Sequence, residues 1–243
     1  MDIISIVIPM YNEEKIINNT ITQVDKYLRL AFGDNYEIVA SDDGSTDSTP
    51  VLLNALCDVF PRLRIVVQPG GINRGKGAAV RNGVLNAAGD IIIFTDCDLS
   101  YGTDVIARIA DVFKANPSAD IVIGSRNISG DGYEGYTFIR KILSKLYVKF
   151  LTVFAGLRYT DSQSGIKGFR REAVQRVFSK CEIDRFAFDM EVLMIADKLN
   201  CNIHELDVKI MTHSETGSKV KIVKDTFRMV RDVNRIKKRL KTL

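Results

Sequence analysis

No stretch of this 243-residue chain approaches the ~20 consecutive apolar residues that a membrane-spanning helix requires. Cysteine is sparse and scattered. Cys57, Cys97, Cys181 and Cys201 form no C-x-x-C pair and have no histidine nearby, which argues against a zinc site and for a reducing compartment. Met1-Asp2 leads straight into a strand-like run, so no signal peptide is expected. Two phosphate-binding fingerprints are missing as well. The loop GINRGKG matches neither the dinucleotide pattern nor the P-loop, because Gly77 rather than Ser or Thr follows Lys76. A kinase or ATPase is therefore a poor reading. Without an internal repeat or a disordered linker, residues 1–243 read as one domain, long enough to bury a substantial core.

What is present is an ordinary globular composition, 46% apolar and 26% charged, with an uneven charge distribution. Between Lys219 and Lys241 stand ten basic residues against Asp225 and Asp232, a surplus of eight that leaves the rest of the chain at −4 within an overall +4. The tail is a basic element on a mildly acidic body. Nucleic acid, anionic lipid, phosphate and plain solvent all suit such an element.

In the first half, strands alternate with helices across short connections, the pattern of a doubly wound α/β sheet. Strands are expected at Ile3–Pro9, Glu37–Ser41, Arg64–Gln68, Ile91–Thr95 and Asp120–Gly124. Asn12 reads as the N-cap of a helix over Glu13–Leu30. The run IIIFT, residues 91 to 95, is apolar and β-branched, as in a strand buried on both faces. It stops at Asp96-Cys97-Asp98. Two carboxylates one residue apart, just beyond a strand's carboxyl end, suit Mg²⁺ or a similar hard cation that shares its coordination with phosphate and water. An isolated D-x-D could equally be a solvated turn. Two more polar clusters, Tyr11-Asn12-Glu13 and Asp42-Asp43-Gly44-Ser45, also end expected strands, and in a parallel sheet all three meet in one crevice sized for a nucleotide. Arg74, Lys76 and Arg81, near a helix N-terminus, supply cations for its phosphates.

The second half is less regular. Residues 138–157 carry apolar side chains at helical spacing with Lys141, Lys145 and Lys149 among them; packing on the sheet and lying on a membrane fit about equally. Asp161–Arg170 reads as a loop into a short strand, with Asp161 either capping a turn or serving the site. A helix at Phe188–Leu199, a strand at His204–Ile210 and a polar loop reaching Lys219 follow, with His204 structural. The basic tail reads as a long helix whose Ile222, Val223, Phe227, Val230, Val233 and Ile236 share one face.

In order and interval, SIVIPMYNEE, SDDGSTDST and TDCD resemble the nucleotide-sugar half of the family 2 glycosyltransferases of GT-A fold. Downstream, GSR, DSQSGIKGFRREA, FAFDMEVL and ETGSKV before a basic helix resemble the polyprenyl-phosphate sugar synthases, closest to the dolichyl-phosphate β-glucosyltransferases and next to the mannose synthases. The resemblance implies a Rossmann-like, mostly parallel sheet flanked by helices plus a C-terminal amphipathic helix. Residues 1–124 would form the donor half and 125–243 the acceptor half. Pro9, Tyr11, Glu13, Asp42 and Asp43 would hold base and ribose, with Lys76, Asp96, Cys97 and Asp98 completing the nucleotide-sugar site. Mg²⁺ or Mn²⁺ would sit on Asp96, Asp98 and Ser100. Arg126 and Lys219, with Ser164, His213 and Ser218, would meet the diphosphate or the acceptor phosphate. His213 stands where mannose synthases carry arginine, a departure from that pattern.

The implied activity is inverting, metal-dependent transfer of glucose from UDP-glucose to dolichyl or another polyprenyl phosphate. Asp98, Arg126 and Lys219 would be its central residues, and the enzyme would be peripheral on the cytoplasmic face of a membrane. An acceptor phosphate is already anionic and needs no general base, so Asp189 and Glu191 would either orient neighbours or, with a hydroxyl acceptor, act as base. Mannose transfer from GDP-mannose and transfer to a saccharide hydroxyl are the enzymatic alternatives. A nucleotide- or polyanion-binding module is the non-enzymatic one. Phe227 is the only aromatic between Lys219 and Leu243, so the tail lacks the stacking residues of a nucleic-acid binder.

Overall fold

A computed structural model describes residues 2–129, 132–133, 138–211 and 222–242, with the side chains of residues 139, 140, 143 and 222–227 left aside. Seven strands and eight α-helices follow in the order β1 (Ile4–Met10), α1 (Ile17–Phe32), β2 (Tyr36–Asp42), α2 (Thr49–Val59), β3 (Leu63–Val67), α3 (Lys76–Asn86), β4 (Ile91–Thr95), α4 (Asp104–Ala115), β5 (Ile121–Ser125), α5 (Phe138–Ala155), β6 (Ile166–Arg170), α6 (Arg171–Phe178), α7 (Phe188–Lys198), β7 (Ile203–Asp207) and α8 (Ile222–Arg239). They form one sheet in the order β3-β2-β1-β4-β6-β5-β7. Every neighbouring pair is parallel except those of β6, which runs against both β4 and β5.

Alternation along the strands assigns side chains to two layers. Val7, Val39, Ile92 and Phe94 face a core completed by α3, α6, α7 and the end of α8. Ile6, Ile8, Ile38 and Ile93 face the other, built with α1 and α4. Both faces are covered, so the central strands read as unbroken apolar runs in the sequence.

Sequence and structure part in three places. Asn12 is not an N-cap, since α1 begins at Ile17 with Ile16 as its capping residue. Asn12 instead adopts φ 55° and accepts the Thr46 N–H on its side-chain oxygen at 2.8 Å, so its hydrogen bond is spent across the cleft. Helix α6 was not anticipated as a separate element. The antiparallel β6 was not anticipated between β4 and β5.

Candidate active site

Strands β2, β1 and β4 lie side by side and parallel, so the three polar clusters do end on one edge. The antiparallel β6 adds to that edge. Because it runs backwards, its first residue Ile166 pairs with Thr95, the last of β4. The segment entering β6, including Asp161, Ser164 and Gly165, is thereby delivered to the same edge as Asp96.

At the first rim, the 11–14 and 45–49 segments are laced together. Asn12 N donates to Ser45 Oγ at 2.9 Å, Glu13 N to Thr49 Oγ1 at 2.9 Å, and Ser48 N to Glu14 Oε2 at 3.0 Å. Asp42 accepts both the N–H and the hydroxyl of Ser45, at 3.1 and 2.5 Å. Tyr11 is exposed and Pro9 half-buried beside them. Asp43 is buried and gives both carboxylate oxygens to the glycine loop, accepting Arg74 N at 3.1 Å and Gly75 N at 2.7 Å. It braces that loop against the end of β2. Gly44, at φ +72°, lies so close beneath the loop that a Cβ would stand 2.6 Å from the Gly71 carbonyl oxygen.

The three cations of the loop are not equivalent. Asp184, from the segment before α7, takes Arg74 at 2.8 Å and Arg81 at 2.6 Å. Lys76 alone reaches the end of β4, its Nζ 2.5 Å from Asp96 Oδ1. Burial works against the Lys76 charge, but the carboxylates of Asp96 and then Asp189 outweigh it and raise its pKa. Asp98 is half-buried and accepts Ser100 N at 3.0 Å. The Cys97 thiol turns into the core toward Thr20, 3.8 Å away, and burial pushes its pKa up to about 12. Any ligand contact from Cys97 therefore comes from its main chain.

Beyond β5, Arg126 pairs with Asp161 through Nε at 2.6 Å and Nη2 at 3.0 Å, with its own N–H adding a third bond at 3.2 Å. Asp161 also accepts Gln163 N at 3.0 Å. It both caps a turn and holds the site arginine. Ser164 is buried and donates its hydroxyl to the Ile166 carbonyl at 3.3 Å. His213, Ser218 and Lys219 lie outside the described residues.

Sequence reasoning missed a buried charge pair behind the edge. Lys167 is fully buried on β6 and donates to Asp189 at 2.5 Å and to the Ser164 carbonyl at 2.7 Å. Burial raises the Asp189 pKa, with Lys167 and then Lys76 opposing the rise. Lysine within an otherwise apolar strand, IKGF, is the signal that could have revealed it, since a buried charge needs a partner. Glu191 has a structural post. It is fully buried and accepts the N–H groups of Glu182 and Ile183 at 3.0 and 2.8 Å, together with the Arg239 guanidinium.

Gly165 was not singled out either. A Cβ there would stand 2.1 Å from Asp96 Oδ2, so only glycine lets the chain pass under that carboxylate. Tyr101 fixes the same turn by accepting Gly165 N at 3.2 Å. We expect Gly165→Ala to swing the Asp96 carboxylate away from Lys76 and to lower kcat/KM by about 10²-fold, the usual effect of misplacing a site group by an ångström. Steady-state kinetics beside a thermal melt check this, and unchanged kcat/KM would contradict it.

The donor set at the D-x-D is all oxygen, two carboxylates with a neighbouring hydroxyl, which is what Mg²⁺ and Mn²⁺ take. The Lys76 ammonium already rests on Asp96, so this position accepts positive charge. Among the described residues no group of three or more Asp, Glu, His or Cys could enclose an ion. Two carboxylates suit a cation that completes its shell from a diphosphate and water.

Residues 5–178 match the model of glycosyl transferase family 2. The chain is 32% identical to the dolichyl-phosphate beta-glucosyltransferase of Dictyostelium discoideum over 96% of its own length and 73% of that protein. To the enzyme of that name from Saccharomyces cerevisiae it is 30% identical, over 95% of this chain and 72% of that one. The glucosyl-3-phosphoglycerate synthase of Mycobacterium tuberculosis, solved with Mn²⁺, UDP-glucose and glycerol 3-phosphate, is similar in structure. Its TM-score is 0.67 at 18% identity, across 97% of this chain and 78% of that one. At that identity the likeness is one of fold, the GT-A arrangement.

Proposed function

This chain belongs to glycosyl transferase family 2, and we propose that it transfers glucose from UDP-glucose to dolichyl phosphate or another polyprenyl phosphate, inverting the anomeric centre. The likeness to two dolichyl-phosphate beta-glucosyltransferases, over 96% and 95% of this chain, carries this choice of donor and acceptor. The gathering of carboxylates and cations at one sheet edge supports the chemistry.

We assign donor binding to residues 1–124 and the acceptor to residues 125–243. The laced rim of residues 11–14 and 45–49, with Asp42 and Asp43, shapes the nucleoside end. Asp96, Asp98 and Ser100 would hold Mg²⁺ or Mn²⁺, which when bound offsets charge on the departing diphosphate. Lys76, at the N-terminus of α3, contributes a cation to the same diphosphate. Arg126, held in direction by Asp161, faces the acceptor phosphate. Two anions must be brought together in line, and fixed cations lower the cost of doing so. Lys219 is assigned to the acceptor side on the sequence motif. Phosphate needs no base to attack, so Asp189, neutralised by Lys167, positions Lys76 rather than moving a proton. Among the described residues no helix is long and apolar enough to cross a membrane. The likeness to dolichyl-phosphate beta-glucosyltransferases is what supports placing the enzyme at a membrane surface, which we assign to the cytoplasmic face.

The test is a donor screen with UDP-glucose, GDP-mannose and UDP-N-acetylglucosamine, each with detergent-dispersed polyprenyl phosphate and Mg²⁺ or Mn²⁺. Transfer from UDP-glucose, a β-linked product by NMR and loss on chelation are expected. Preferential use of GDP-mannose would move the donor assignment. Metal-dependent donor binding with no transfer to lipid would move the acceptor to a saccharide hydroxyl.

A further inference from the structure

Helix α5 presents an apolar stripe that the rest of the described molecule does not cover. Phe138 is 77% exposed, Ile142 41%, Leu146 60%, Phe150 50% and Val153 68%. At 3.6 residues per turn these five fall within an arc of about 120°. The opposite side of the helix, Val148, Leu151, Thr152 and Ala155, is buried. So α5 is anchored along one face and bare along the other.

Lys141, Lys145 and Lys149 follow one edge of the stripe, and α5 contains no acidic residue. From the adjoining side α8 brings further positive charge. Lys237 Nζ lies 4.8 Å from the centre of the Phe154 ring, which stacks on the Phe150 ring at 5.9 Å, while Arg231 and Arg235 are 78% and 67% exposed. Three of the described apolar residues of α8 itself face inward. Met229, Val233 and Ile236 are buried in the same core as Leu151 and Ala155. The tail can attract an anionic surface, but of its described apolar side chains Met229, Val233 and Ile236 are buried and Val230 and Leu240 half-buried.

The stripe also adjoins the site. The Tyr133 ring has Lys145 of α5 5.9 Å from its centre and Arg126 5.2 Å from it. An apolar surface edged with lysine, beside the arginine proposed for a lipid phosphate, matches acyl chains beneath anionic headgroups.

We propose that α5 is the face that lies on an anionic bilayer, its stripe entering the headgroup–acyl boundary and its lysines, with the basic side of α8, meeting the headgroups. This places Arg126 next to the surface from which an acceptor phosphate would project. The inference deepens the lipid-acceptor reading and rests on it, yet it is tested with no donor or acceptor present.

The experiment is flotation of the full chain with vesicles of phosphatidylcholine alone or with phosphatidylserine. Leu146→Asn/Phe150→Asn is compared with Leu30→Asn/Val51→Asn, which alters still more exposed apolar residues on α1 and α2. All four positions are exposed, and circular dichroism with a thermal melt verifies folding. The parent is expected to float with the phosphatidylserine vesicles. Leu146→Asn/Phe150→Asn should lose about tenfold or more in partitioning, while Leu30→Asn/Val51→Asn keeps it. Lys141→Glu/Lys149→Glu should weaken binding to anionic vesicles and remove its salt dependence in part. A parent that ignores vesicles, stripe variants that float like the parent, or a stripe that instead drives concentration-dependent dimerisation would each overturn the proposal. Loss of vesicle binding alongside intact transfer to a detergent-dispersed acceptor would support it, and a failed donor screen would leave the flotation result standing.

Discussion

Asp98→Ala is expected to lower kcat/KM for glucosyl transfer by about 10³-fold, or ~4 kcal/mol of transition-state stabilisation, which follows from the role proposed for it as a ligand of a charge-neutralising cation. The fold should hardly notice. Asp98 is half-buried and makes one local bond, to Ser100 N at 3.0 Å, so a stability change within about 0.5 kcal/mol is expected. Mn²⁺ affinity in the presence of UDP should fall together with turnover. Full activity in the variant would remove Asp98 from the metal site, and a large drop in melting temperature would recast it as structural.

The opposite profile is expected at Asp161. Asp161→Ala leaves the Arg126 guanidinium, only 13% exposed, without its bidentate partner, and removing one member of a buried pair costs about 3–5 kcal/mol. Turnover should drop too, because Arg126 loses its direction. Arg126→Met in the Asp161→Ala background should recover part of the stability and none of the activity, a coupling that a double-mutant cycle measures. The pair is also legible in acid. Burial raises the Asp161 pKa, but Arg126 more than offsets it and holds the carboxyl below the usual aspartate value. A depressed carboxylate stabilises above its unfolded pKa of roughly 4 and loses that contribution as pH falls through the folded value. The parent should therefore shed stability in that acid window, and Asp161→Ala should show a flatter profile there. Parallel profiles would mean that Asp161 contributes nothing through its charge.

The donor edge was legible because its signals are local. A β-branched run stops at Asp96, strands end at Met10 and Asp42, and a parallel sheet puts those ends together whatever the side chains do. What escaped depends on contacts between segments far apart in sequence. Nothing in IKGFR says that it runs antiparallel between β4 and β5, yet that direction carries Gly165 beneath Asp96. Arg74 and Arg81 look like phosphate ligands until Asp184 is seen to engage both. The tail periodicity gives a helix with one apolar face but not what covers that face, and in the structure Val233 and Ile236 supply core. The stripe on α5 was the reverse case, since apolar spacing alone cannot say which face is covered. Lys167 shows where pattern reading could have gone further, because a lone charge in a buried strand implies a counter-charge that the strand does not supply.

The reversed strand β6 also bears on the order in which the molecule comes into being. Strands β3, β2, β1 and β4 are complete once residue 95 has been synthesised, and they can pair among themselves. The free edge of β4 then waits for Ile166–Arg170, and so does one edge of β5. Until that segment leaves the ribosome β4 and β5 share no ladder, and their facing edges are open to strangers. Insertion of β6 closes them together and, in the same step, sets Gly165 under Asp96. Joining of β5 to the rest of the sheet and completion of the edge at Asp96 are thus one late event, which precedes the addition of β7.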